Sequence, residues 1–147
     1  MADYARLLDD YCELYLLSSR LYEDFAKRYD ETTYSLFALL FLREHPQGAT
    51  QRDLREYLCV PKQTASTIVA SLARRGLLEQ RNAADDGRSK ELVLTDAGAR
   101  RCSELHAKLK NIELASFRQL PAADLRQMND TNRRILEAFS ERLTKGA

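Results

Sequence analysis

The chain has 147 residues, 44% of them apolar and 31% charged, with a formal net charge of +1. That length and balance suit one globular domain with a sizeable core and exclude a disordered chain. The longest apolar run, Leu36 to Leu42, is seven residues, too short for a membrane span, and the opening MADYARLLDD lacks the basic start of a signal peptide.

The first predicted helix runs from Tyr4 to about Tyr29, with apolar residues at Leu7/Leu8, Tyr11, Leu14/Tyr15, Leu21/Tyr22, Phe25 and Tyr29 in 3-4 spacing. It is acidic: residues 1–31 carry four Lys/Arg against eight Asp/Glu. Thr32 or Thr33 caps a second helix, Tyr34 to Glu44, apolar on nearly every side and so buried. His45-Pro46-Gln47-Gly48 breaks it. Thr50 caps a short helix to Leu58, with Asp53 as the acidic third residue. After a turn at Cys59-Val60, Pro61 takes the first position of a helix reaching Arg75, which Gly76 ends as a left-handed cap. Arg74 and Arg75 sit in the last turn, where the helix dipole favours cations.

A β-hairpin follows, with one strand from Leu77 to Arg81 and another at Leu92-Val93-Leu94. The turn Asp85-Asp86-Gly87 and the cations Arg88 and Lys90 form its tip. Thr95 and Asp96 open a helix to about Gln119. Pro121 restarts a last one through Leu143, with Leu125, Met128, Ile135, Leu136, Phe139 and Leu143 on its apolar face. The first and last helices carry long apolar stripes that the small core between them cannot cover, which favours an intertwined homodimer over packing of the two against each other.

Thr50 to Leu72 has the spacing of a helix-turn-helix. Leu54, Leu58, Val60, Ala65, Ile68 and Leu72 face inward; Lys62, Gln63, Ser66, Thr67, Ala70, Ser71 and Arg74 face outward. No acid occurs from Cys59 to Leu78, and residues 50–101 hold ten Lys/Arg against seven Asp/Glu. A merely solvated helix face mixes both signs, so the pattern points to double-stranded DNA. Gln63 suits adenine N6/N7, Lys62 guanine or a phosphate, and Ser66 and Thr67 base edges or a thymine methyl. Thr50, Gln51, Thr64, Ser71, Arg74, Arg88 and Lys90 complete the expected DNA-binding set.

Gln51-x-x-Leu54, Leu58-x-Val60, Thr64-x-Ser66, Leu72 and Gly76-Leu77-Leu78-Glu79 resemble the winged helix-turn-helix of the MarR family of bacterial transcription regulators. Asp86, Arg88, Leu94 and Thr95 resemble that family's wing signature, and Ala97-Gly98 is typical after it. The resemblance implies a mainly α fold: a winged helix-turn-helix with a two-stranded β-wing and long N- and C-terminal dimerisation helices. It implies a single domain over 1–147, with residues 32–98 as the DNA-binding core and 1–31 and 99–147 as dimerisation helices. Arg88 would reach into a minor groove, Asp86 would support the wing, and a dimer would read a pseudo-palindromic operator. Two residues depart from the family pattern. Arg55 stands where a small residue usually meets the recognition helix, and Cys59 replaces the usual turn glycine, at a cost if its φ is positive.

Family members commonly release DNA on binding small phenolic or aromatic acids. The resemblance places such a site between the dimer helices and the winged unit, with Tyr11, Tyr15, Arg20, Tyr22 and Phe37 as candidate walls. A repressor released by a small ligand is therefore the leading expectation. An alternative is a thiol-based peroxide sensor using Cys12, although Asp9, Asp10 and Glu13 disfavour its thiolate and Leu16 stands where the sensing branch has a tyrosine. A second alternative is a protein-interaction module of the same fold. The three cysteines, Cys12, Cys59 and Cys102, lack CxxC spacing and fit reduced thiols in the cytoplasm. His45 and His106 are far apart, and no GxSxG, HExxH or phosphate-binding glycine loop occurs. Catalysis, a metal and a cofactor are not expected.

Overall fold

Two threonines set where the central helices begin. In the computed structural model, which describes residues 3–82 and 90–146, Thr32 accepts a hydrogen bond from the Ser35 amide at the start of α2 (Thr33–Glu44). Thr50 forms a capping box at α3 (Gln51–Leu58): its hydroxyl accepts from the Asp53 amide, and the Asp53 carboxylate accepts from the Thr50 amide. These bonds satisfy amides that the first helical turn leaves unpaired. Before them lies α1 (Tyr4–Arg28), capped by Asp3.

The second helix of the pair, α4 (Lys62–Arg74), begins with Pro61 at the cap position, one residue earlier than expected from its fixed φ. It ends in a Schellman motif, with Leu77 donating to the Leu72 carbonyl and Gly76, at φ +69°, to that of Ala73. The hairpin strands are β2 (Leu78–Asn82) and β3 (Lys90–Leu94), paired antiparallel from Leu78–Leu94 to Asn82–Lys90. A third strand, β1 (Ala49–Thr50), pairs with the other edge of β3, so the sheet order is β1-β3-β2. The sequence reading missed β1, because a strand of two residues has no alternation to detect. The hairpin turn, with Asp85, Asp86, Gly87 and Arg88, lies outside the described residues.

Helices α5 (Asp96–Phe117) and α6 (Ala122–Lys145) complete the chain. It divides into two compact units, Met1–Ala107 and Lys108–Ala147. The core of the first is built from Leu36, Leu39 and Leu42 of α2, Leu54 of α3, Leu72 of α4, Leu92 of β3, and Cys102 and Leu105 of α5, all fully buried. Thr95 joins the wing to this core: its hydroxyl donates to the Gly76 carbonyl at 2.6 Å and accepts from the Gly98 amide at 3.0 Å. Gly98 is required by close approach, since a Cβ there would lie 1.9 Å from the Leu77 carbonyl oxygen. In the second unit, α6 buries none of its residues, and Met128, Ile135, Leu136, Phe139 and Leu143 are exposed.

Candidate nucleic-acid interface

The outward face of α4 is the one the spacing defines. Ala65, Ile68, Val69 and Leu72 are buried, while Lys62, Gln63, Thr67, Ala70 and Arg74 are exposed and Thr64, Ser66 and Ser71 half-buried. Val69 is a core residue that the inward pattern did not include. Val60 is buried at the turn, as its place between the helices requires, and Leu58 is half-buried.

Several candidate side chains already hold bonds that fix their direction. The Gln51 amide donates to the Ser66 hydroxyl at 2.8 Å, linking the first turn of α3 to α4. The Ser66 and Thr67 hydroxyls donate to the carbonyls of Lys62 and Gln63, four residues back. Their protons are thus directed into the helix and their oxygens act as acceptors, that of Ser66 already taking the Gln51 amide. The Thr50 hydroxyl donates to Asp53 at 2.7 Å, so its first role is the cap of α3. This pairing holds the Asp53 carboxyl below its ordinary value, first through the Thr50 hydroxyl and then through the Thr50 amide. Lys90 is exposed at the start of β3, opposite Asn82. Arg88 and Asp86 lie outside the described residues.

Both departures from the family pattern take definite forms. Cys59 caps α3 at φ 52° and ψ 43°, the left-handed conformation in which a glycine is unstrained. Arg55 is half-buried, with its guanidinium 3.6 Å from Glu56.

Sequence reasoning grouped Arg74 with Arg75, and the structure separates them. Arg75 turns inward and forks onto Glu31 with bonds of 2.9 and 2.6 Å, and Arg101 reaches the same carboxylate at 3.2 Å. The carboxylate is fully buried, and its hydrogen bonds raise the Arg75 pKa above its ordinary value. Nothing in the local sequence marks Glu31, because its partners lie 44 and 70 residues away.

Residues 35–89 match the family model described as MarR family. The fold agrees over a longer span. Staphylococcus aureus MepR in its DNA-binding conformation is 25% identical with a TM-score of 0.76, covering 88% of this chain and 98% of that one. MepR in complex with DNA gives 23% and 0.76, over 87% and 97%. Wild-type E. coli MarR in its apo form gives 19% and 0.70, over 92% and 98%. Across its winged helix-turn-helix the chain matches the MarR family. No curated protein matches it by sequence.

A cleft of about 920 Å³ opens beside the helix-turn-helix, lined by Tyr15, Ser19, Glu23 and Lys27 of α1, Glu31 to Tyr34, Phe37, Tyr57, Leu58 and Cys59. Of the five residues expected at a ligand site, Tyr15 and Phe37 line it. Tyr22 packs on Phe37 with ring centroids 5.4 Å apart, and Tyr11 and Arg20 lie outside the lining. Neither Tyr34 nor Tyr57 was among the walls expected from sequence; α2 and the end of α3 deliver them. Cys12 and Cys59 are exposed, whereas Cys102 is buried, donates to the Leu39 carbonyl and has its thiol pKa pushed up by burial. Among the described residues no helix is long and apolar enough to cross a membrane.

Proposed function

We propose that this MarR-family regulator reads a pseudo-palindromic operator as a homodimer in the cytoplasm, and that it is a repressor released by a small aromatic ligand. The observation that carries the DNA reading is the exposed face of α4, where Lys62, Gln63, Thr67 and Arg74 stand together with no acid between Cys59 and Leu78. A helix of this kind enters a major groove with its N-terminal residues at the base edges. Gln51, Thr64, Ser66 and Ser71 border that face, Thr50 lies at the α3 terminus beside it, and Lys90 and Arg88 extend the contact along the wing. Asp86 supports the wing turn. The MepR structure in complex with DNA has the same fold, which supports the reading.

The dimer rests on uncovered apolar surface. Leu7, Leu14 and Leu21 recur every seven residues along α1 at 56%, 65% and 60% exposure. An apolar stripe left in water forgoes about 25 cal/mol per Å², and a second copy supplies what covers it. Residues 1–31 and 99–147 would form this interface around the core at 32–98. Ligand release rests on the cleft, whose aromatic walls and hydroxyl groups suit a small phenol or aromatic acid.

Fluorescence anisotropy with DNA from upstream of its own coding sequence tests the reading. Lys62→Ala combined with Arg88→Ala should weaken binding about a hundredfold, from two contacts of roughly 1–3 kcal/mol each. Affinity of the parent should fall steeply with salt as counterions are released. Retained affinity in the double variant would place the contacts elsewhere, and a flat salt dependence would favour a protein-interaction module. Salicylate should release DNA from the parent but not from Tyr15→Ala/Phe37→Ala; equal release from both would remove the cleft as the effector site.

A further inference from the structure

Glu31 is the most enclosed charge described in the first unit. Its carboxylate has no exposed surface, yet Oε2 accepts from Arg75 Nη1 and Oε1 accepts from both Arg75 Nη2 and Arg101 Nε. Arg101 also donates through Nη2 to the Tyr29 carbonyl. Three pieces of backbone meet there: the elbow between α1 and α2, the C-cap of the recognition helix α4, and the second turn of α5.

Burying a carboxylate costs several kcal/mol before its partners repay it, and apolar residues of similar volume fill such a space at least as stably. What an apolar contact lacks is direction. A guanidinium fork fixes distance and orientation together, because both of its bonds must be met at once. Arg75 is also immediately followed by Gly76 and the Schellman turn, so the fork grips α4 where the helix is already pinned. The apolar contacts of Ala65, Ile68, Val69 and Leu72 along α4 tolerate small rotations that this fork does not.

We propose that Glu31, Arg75 and Arg101 form a positioning strut that fixes the angle of the recognition helix against α1. In the homodimer this would set the separation of the two recognition helices; that second step rests on the dimeric reading above. These are positioning residues, since none of them need touch DNA.

The test uses the full chain with Cys12→Ser and Cys59→Ser, and spin labels on cysteines introduced at Ser18 of α1 and Ala70 of α4. Labelled protein is diluted in unlabelled protein so that the distance within one chain is read. Glu31→Gln should broaden that distance distribution while the protein still melts cooperatively. On DNA it should weaken operator binding by about tenfold, leave non-specific DNA affinity unchanged, and flatten the preference for one half-site spacing. Arg75→Lys keeps the charge but loses the fork, and should behave like Glu31→Gln; it replaces that variant if Glu31→Gln does not fold. A folded variant with the parental distance distribution overturns the strut. A broadened distribution with parental operator affinity and spacing preference keeps the strut but overturns its role in setting half-site separation. If the parent bound no DNA, the operator reading would fail while the distance measurement still decided the strut.

Discussion

The winged unit and the two terminal helices use leucine in opposite ways. From α2 to β3, Leu36, Leu39, Leu42, Leu54, Leu72 and Leu92 close over one another until none is reached by water. Along α1 only Phe25 and Ala26 are buried in 25 residues, and α6 buries none in 24. The contrast separates a core that the chain completes by itself from faces that it leaves open to solvent. A helix of isolated sequence gains little from propensity alone, so under the proposed dimer the terminal helices would depend on the second copy that covers their stripes.

The largest expected effect attacks that dependence. Leu14→Asp with Leu21→Asp places charges on a face that is open to solvent in the single chain. If the face stayed open, the cost would be within about 0.5 kcal/mol. If a second copy covers it, sedimentation equilibrium should show dimer dissociation promoted by about a hundredfold or more, the loss of a central apolar anchor. Unchanged association would break the comparison at its root.

The winged unit should instead fail by overpacking. Gly98→Ala drives a methyl group into the Leu77 carbonyl, where the obstacle is backbone and cannot rotate away. Urea unfolding should show a loss of about 2–3 kcal/mol. A midpoint equal to that of the parent would mean that α5 does not press on the wing's base as described.

The same contrast explains what the sequence made legible. Helix ends were readable because each is governed by residues adjacent in sequence: Thr50 with Asp53, Thr32 with Ser35, Gly76 after Arg75. The outward face of α4 was readable because the 3.6-residue period acts over adjacent turns. Glu31 was not, since the residues that pair with it are distant in sequence and arginines on a helix surface look alike. Tyr34 and Tyr57 were missed as walls of the cleft for the same reason: the cleft is made by the crossing of elements, which periodicity does not encode. The pairing of β1 with β3 likewise depends on where the chain returns, not on Ala49 or Thr50 themselves.

A smaller effect is expected where the winged unit carries strain. Cys59 holds a left-handed conformation at φ 52° that costs a residue with a Cβ about 1 kcal/mol or more. Cys59→Gly should raise stability by about 0.5–1 kcal/mol, the relief of that strain less the added freedom of glycine in the unfolded chain. Its thiol is exposed, so little packing is lost with it. Chemical denaturation decides the matter, and a destabilised variant would show that contacts of the side chain outweigh the strain.

The smallest effect tests the capping box itself. The hydrogen bonds from Thr50 depress the Asp53 carboxyl below its ordinary value of 3.8. A carboxyl whose folded pKa lies below its unfolded pKa binds its proton more readily in the unfolded chain. Its contribution is therefore complete above the unfolded value and disappears as pH falls through the folded one. Asp53→Ala should cost about 0.5 kcal/mol at neutral pH, the low end of capping effects because the pair is exposed and screened by water. Urea titrations of parent and variant should show a constant gap from pH 7 down to about 4, closing as the solution becomes more acidic. A gap that widens on acidification would contradict the depressed carboxyl, and with it the reading of Thr50 as a cap first and a DNA contact second.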